Sequence, residues 1–184
     1  KVAFVTGDTQ TKSDAARASA KRMIEADKAI MISGGSSSGV AVAVQSLCQD
    51  MGVMFMAGLT PPNDPPGKDK RRSGFRHFFN AYQSGEALGP VLAAEYGADR
   101  RAYHLTADYT WGHTTEASMR EFTDTKDGER HGSVLVPVPG GRYHEIEEAM
   151  QAAADSDADV LVMVLFGEQM VRGMTIAQQK KLPE

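Results

Sequence analysis

Residues 34–39, Gly-Gly-Ser-Ser-Ser-Gly, carry the clearest chemical content, between an apolar run ending at Ile32 and an amphipathic run beginning near Val40. A glycine pair permits a sharp backbone turn, and hydroxyls at the first turn of a helix stand among free N–H groups that favour negative charge. Such a turn can receive a carboxylate through Ser36, Ser37 and Ser38. The same serines fit an ordinary helix cap, so the local pattern leaves both readings open.

Trp111 is the only tryptophan and lies beside Tyr109 in a polar stretch. It could stack on a ligand or pack under the following helix. Phe166, at the end of an apolar run, presents the same pair of alternatives. No other residues form a catalytic or metal-binding pattern. His77, His104, His113, His131 and His144 lack metal-ligand spacing, and no Gly-x-Ser-x-Gly elbow occurs. The glycine-serine turn has neither the lysine of a phosphate loop nor the spaced glycines of a dinucleotide fingerprint. Asp155, Asp157 and Asp159 alternate as calcium ligands can, but a helical run precedes them and an apolar strand follows, so they read as a solvated turn. Cys48 sits among Val44, Leu47 and Met51, which predicts a buried, inert thiol. Neither an enzyme nor a resident metal or cofactor is expected.

Composition is that of an ordinary globular chain: 184 residues, 41 % hydrophobic, net charge −4. Cationic side chains are scattered and accompanied by acids, so nucleic acid is not an expected partner. No apolar run approaches the ~18 residues that span a bilayer, and residues 1–15 lack the pattern of a secretion signal. A single cysteine rules out an internal disulfide and does not discriminate between compartments.

The elements that must position these residues alternate. Strands are expected over 2–5, 28–32, 53–56, 75–79, 101–106, 133–136 and 160–165. Helices are expected over 13–26 with Ser13 as cap, from about 40 to 51, and over 85–97, 114–122, 143–154 and from 167 onward. In the helix over 85–97, Leu88, Val91, Leu92 and Tyr96 mark the apolar face and Pro90 falls in the first turns. The stretch 61–73, with four prolines and the cations Lys68, Lys70, Arg71 and Arg72, reads as a solvated loop. This alternation predicts an α/β fold with mainly parallel sheets. A polar crossover near Ala81 suggests two lobes, 1–81 and 82–184. Loops at 33–39, 57–60, 107–112 and 166–168 then follow strand carboxyl ends, where open parallel sheets hold ligands, and a cleft fed by both lobes suits a closing, ligand-trapping protein.

The ordered series Asp8-Thr9-Gln10, Asp27-Lys28-Ala29, Ile32-Ser33-Gly34-Gly35-Ser36-Ser37, Gly52-Val53-Met54-Phe55, Phe75-Arg76, Asp108-Tyr109-Thr110-Trp111-Gly112 and Ala158-Asp159-Val160 resembles the type 1 periplasmic solute-binding proteins of ABC importers. The nearest group is the branched-chain amino acid and amide branch. The resemblance implies two Rossmann-like lobes that close on a solute by a hinge, with no catalysis. Ser36 would bind the ligand carboxylate with Ser37 beside it, and Gly58, Leu59 and Thr60 match the loop that holds the α-groups of an amino acid. Trp111 and Phe166 stand where the family often has tyrosines, which favours a more apolar or aromatic-stacked solute.

The resemblance also implies an incomplete chain. The family's first strand, expected between those at 2–5 and 29–32, and a long C-terminal part have no counterpart here. The acidic residue that pairs with a solute ammonium belongs to that C-terminal part. The implied role is the solute-binding component of an ABC importer, located in the periplasm and delivering an amino acid, amide or small carboxylate to a membrane permease. The alternative is a ligand sensor of the same fold; an α/β hydrolase is a more distant one.

Overall fold

The structure, a computed structural model, describes residues 2–96, 99–138 and 143–182. The chain falls into two compact units, Lys1–Asn80 and Ala81–Glu184, and each is built on a three-stranded parallel sheet. The fold class is therefore α/β.

The first unit contains α1 (Ser13–Glu25), β1 (Met31–Gly34), α2 (Ser38–Asp50), β2 (Met54–Ala57) and β3 (Gly74–Arg76), in the sheet order β1-β2-β3. Gly34 lies opposite Ala57, and Ala57 opposite Arg76, so the three carboxyl ends finish side by side. Ala16 and Ala20, one turn apart on α1, bury against Val40, Ala41, Val44 and Cys48 of α2, and Phe55 of β2 completes the core. Arg17 Nη1 ties the two helices by donating to the Ala43 carbonyl at 3.1 Å. Burial pushes the Cys48 thiol up to about 11, so it stays protonated and inert at neutral pH.

Several expectations for this unit are corrected. The strand expected over 2–5 is absent: Val2 is 79 % and Phe4 90 % exposed, and β1 has no described strand on its outer edge to pair with them. A β-rich run without a partner cannot satisfy its backbone as a ladder. Lys12, not Ser13, occupies the cap position of α1. The strand expected over 75–79 stops at Arg76. The proline-rich loop is packed only in its first part, where Pro62, Asp64 and Pro65 are buried, while Lys68, Lys70, Arg71 and Arg72 are exposed as expected. Gln45 Nε2 donates to the Pro65 and Asp69 carbonyls at 3.0 and 2.9 Å.

The second unit contains α3 (Ala81–Tyr96), β4 (Ala102–Ala107), α4 (Thr110–Thr123), β5 (Ser133–Val136), α5 (Tyr143–Ala154), β6 (Val160–Val164) and α6 (Glu168–Lys180), in the sheet order β5-β4-β6. Side chains alternate along β4. Leu105 and Ala107 enter a core with Val136, Ile146, Met150 and Ile176, while His104 and Thr106 take the opposite face, toward α4. That face carries a buried polar cluster. Arg120 pairs with Glu116 at 2.7 Å and donates to the carbonyls of Thr125, His131 and Gly132, clamping the turn that leads into β5.

The helix expected over 85–97 starts earlier, at Ala81, so Pro90 lies in its interior, and the expected end at Gly97 lies outside the described residues. Its predicted apolar face is half right: Leu92 and Tyr96 are half-buried on the face of Gly85 and Gly89, but Leu88 and Val91 are not. Leu88 and Val91 are 52 % and 58 % exposed, whereas Gly85 and Gly89 are buried. A Cβ at Gly85 would lie 2.7 Å from the Ser118 carbonyl, and one at Gly89 2.5 Å from Phe122 Cβ. The absence of side chains there lets the α3 backbone lie directly on α4.

Candidate functional site

In the first unit the chemistry gathers where β1 and β2 end. Gly34 and Gly35 take positive φ values of 131° and 80°, which turn the chain sharply from strand into helix. Gly58 N–H donates to the Gly34 carbonyl at 3.1 Å. A Cβ at Gly58 would stand 3.5 Å from Gly34 Cα, so the two loops meet backbone to backbone.

Ser37 occupies the cap position of α2 but its hydroxyl makes no capping hydrogen bond. Ser36 is exposed, Ser37 half-buried and Ser38 buried. No acidic residue lies in the first turn of α2, so nothing on the helix itself offsets its positive end. Thr60 is fully buried, and its hydroxyl donates to the Gly35 carbonyl, stapling the two loops together. Leu59, between Gly58 and Thr60, is exposed. The structure thus brings Ser36, Ser37, Gly58, Leu59 and Thr60 into one neighbourhood.

In the second unit the candidate residues lie where the order of the strands reverses. β4 leads to α4 on one face, and β6 leads to α6, which packs with α5 on the other. Parallel sheets open a crevice at such a point. Trp111 sits in the first turn of α4, not in a loop as expected, and Phe166 follows β6. Their rings meet edge to face with centroids 6.3 Å apart, and Tyr109 stands 5.7 Å from Trp111. Trp111 is partly sunk against the core, whereas Phe166 is 67 % exposed. Trp111 therefore packs against the core, while Phe166 leaves most of its ring exposed beside it.

Gly112 makes this arrangement possible. A Cβ there would be 1.9 Å from the Ala107 carbonyl, so only glycine lets α4 begin this close to the end of β4. At the same strand end Asp108 Oδ1 and His113 Nε2 are 2.8 Å apart.

Two features escaped the sequence reading. Arg76 looked like one residue of an alternating strand; it ends β3 beside Ala57, and its Nη1 donates to the Pro62 carbonyl at 2.7 Å. The Asp108–His113 pair could have been found from the five-residue spacing across a strand-to-helix turn. A polar depression at the amino ends of β4 and β6 lies away from these loops. Its Arg101 and Arg130 are paired with Asp157 and Asp99.

Each unit is thus an α/β structure on a parallel sheet, with small, polar or aromatic residues collected at the carboxyl ends of its strands. Residues 1–183 match the periplasmic binding protein family, and the chain belongs to it. Among solved structures, it is similar to a periplasmic binding protein from Burkholderia mallei, with TM-score 0.83 and 16 % identity over 96 % of this chain and 46 % of that one. It is also similar to a solute-binding protein of an ABC transporter from Rhodopseudomonas palustris, in complex with 3,4-dihydroxybenzoic acid. There the TM-score is 0.83 and the identity 19 %, over 99 % and 48 % of the two chains. An amino acid ABC transporter substrate-binding protein from Pseudomonas fluorescens has TM-score 0.77 and 22 % identity, over 96 % and 47 %. The chain spans about half the length of these structures. No curated protein sequence matches it.

Proposed function

We propose that this chain belongs to the solute-binding component of an ABC importer, working in the periplasm and handing its solute to a membrane permease. The solute is a small carboxylate with an apolar or aromatic body. In the first unit the Ser36–Ser37 turn and the Gly58–Thr60 loop are the groups suited to a carboxylate, and in the second unit Trp111 and Phe166 are those suited to an apolar or aromatic body.

The supporting observation is that each unit gathers its candidate residues at adjacent strand ends, with bare helix N–H groups in one unit and exposed aromatic surface in the other. The ligand and transport class in the descriptions of the similar structures, a dihydroxybenzoic acid in one and amino acid transport in another, share a carboxylate. Trp111 and Phe166 carry no phenolic hydroxyl, which favours rings and alkyl groups over polar side chains.

Titration calorimetry of the intact protein with benzoate, leucine and their amides tests the reading. Binding of at least one carboxylate is expected. Ser36→Ala should weaken it by about 1–3 kcal/mol, since a hydrogen bond to a charged group is lost. No binding across the panel would overturn the assignment, and an unchanged affinity in the variant would move the anion site elsewhere.

A further inference from the structure

Arg76 is linked to the glycine turn by a chain of hydrogen bonds. It closes β3 in register with Ala57, the last residue of β2. Its Nη1 donates to the Pro62 carbonyl at 2.7 Å and to the Thr60 carbonyl at 3.4 Å. Thr60 in turn donates its hydroxyl to Gly35. One residue therefore separates the guanidinium from the turn that opens α2.

The charge at this place is uncompensated. The guanidinium is partly buried, and burial lowers its pKa with no acidic side chain acting against the shift. None of the ion pairs among the described residues includes Arg76. Carbonyl oxygens accept its hydrogen bonds without neutralising it. The other local source of potential, the amino end of α2, has the same sign and also lacks an acid. The segments 33–39 and 57–62 contain no Asp or Glu. Two positive sources thus converge on one strand end, and a desolvated cation of this kind is stabilised by an anion.

We infer that Arg76 is the residue that selects an anionic solute in the first unit, its charge reaching the carboxylate held at the Gly34–Ser37 turn. This rests on the proposed solute-binding role. Arg76 acts through space and through the Thr60 staple, as a positioning and charge-selecting residue, so it should discriminate by charge rather than by shape.

The test compares benzoate with benzamide, which differ little in shape but differ in charge, on the intact protein by calorimetry. Arg76→Gln keeps donors for the loop carbonyls and removes the charge; Arg76→Lys keeps the charge and loses the planar fork. Arg76→Gln is expected to weaken benzoate about tenfold or more while benzamide moves by about twofold or less. Arg76→Lys is expected to hold benzoate within about threefold of the natural protein. Equal losses for benzoate and benzamide in Arg76→Gln, or an Arg76→Lys variant as weak toward benzoate as Arg76→Gln, would reduce Arg76 to a tie for the proline-rich loop. Natural protein that binds neither probe would remove the inference together with the benzoate-like solute class, while natural protein that binds benzoate with either of those two variant patterns would remove the inference alone.

Discussion

His104 shows how a single side chain sets a condition on the fold. Its ring is 1 % exposed on the α4 face of β4, and neither nitrogen has a hydrogen-bond partner among the described residues. Burial lowers its pKa to about 4, reinforced by the Arg120 guanidinium and opposed by Glu116. For Glu116 itself, burial disfavours the carboxylate, but the nearby Thr106 hydroxyl and Arg120 outweigh it and lower its pKa. The folded pKa of His104 lies below the ordinary value of 6.5, so the unfolded chain binds the proton more readily. Stability is then intact above about pH 6.5 and falls as pH drops toward 4, by on the order of 2 kcal/mol at pH 5. His104→Leu should flatten that slope between pH 7 and 5 in urea denaturation, because no proton can enter. A slope unchanged by the substitution would assign the titration to another group, such as His131. Legibility at this scale followed local chemistry. Ser36 and Ser37 stand out because hydroxyls after a glycine pair mark a helix start, as cap or as anion contact, whereas His104 and Arg76 acquire meaning only from which strand face and strand end they occupy.

Among the elements, α3 departs furthest from its pattern. Leucine and valine at helical spacing ordinarily mark the buried face, yet α3 turns Gly85 and Gly89 inward and leaves Leu88 and Val91 outside. Close backbone approach to Ser118 and Phe122 determines this choice, and no hydrophobicity pattern encodes a contact made by missing side chains. Gly89→Ala separates the two effects. Helix propensity alone would stabilise the variant by about 1 kcal/mol. The added Cβ, however, would meet Phe122 Cβ at 2.5 Å and its carbonyl at 2.7 Å, atoms of α4 that cannot rotate away. Overpacking costs typically about 1–3 kcal/mol, so a net loss in urea denaturation is expected. A gain in stability would mean that α3 slides along α4 without cost. The same logic explains why Trp111 was read as a loop residue. With Asp108, Tyr109 and Gly112 around it the stretch has turn chemistry, and the helix can start at Thr110 only because Gly112 fits against Ala107.

At the scale of the whole molecule, the alternation of strands and helices made the α/β class legible, since parallel strands need helical crossovers and only a few sheet orders accommodate them. The run at 2–5 escaped because pairing is not a local property: a β-rich segment becomes a strand only beside another one. The solute-binding reading makes a demand on each unit. A carboxylate held at the Gly34–Ser37 turn must slow local opening in the first unit, and a ring held on Trp111 and Phe166 must slow it in the second, because opening the strand ends releases the ligand. Hydrogen exchange on the intact protein with saturating benzoate can follow the amides of Gly58 and Thr60 together with those of Asp108, Tyr109 and His113, whose backbone bonds fix the strand ends. At a concentration about 100 times Kd, ligation stabilises by about 2.7 kcal/mol, which slows exchange through ligand release by roughly a hundredfold. Matching protection in both groups is the expected result. Protection confined to the second group would place the solute on the aromatic row alone, and the serine turn would then revert to the helix start it also resembles.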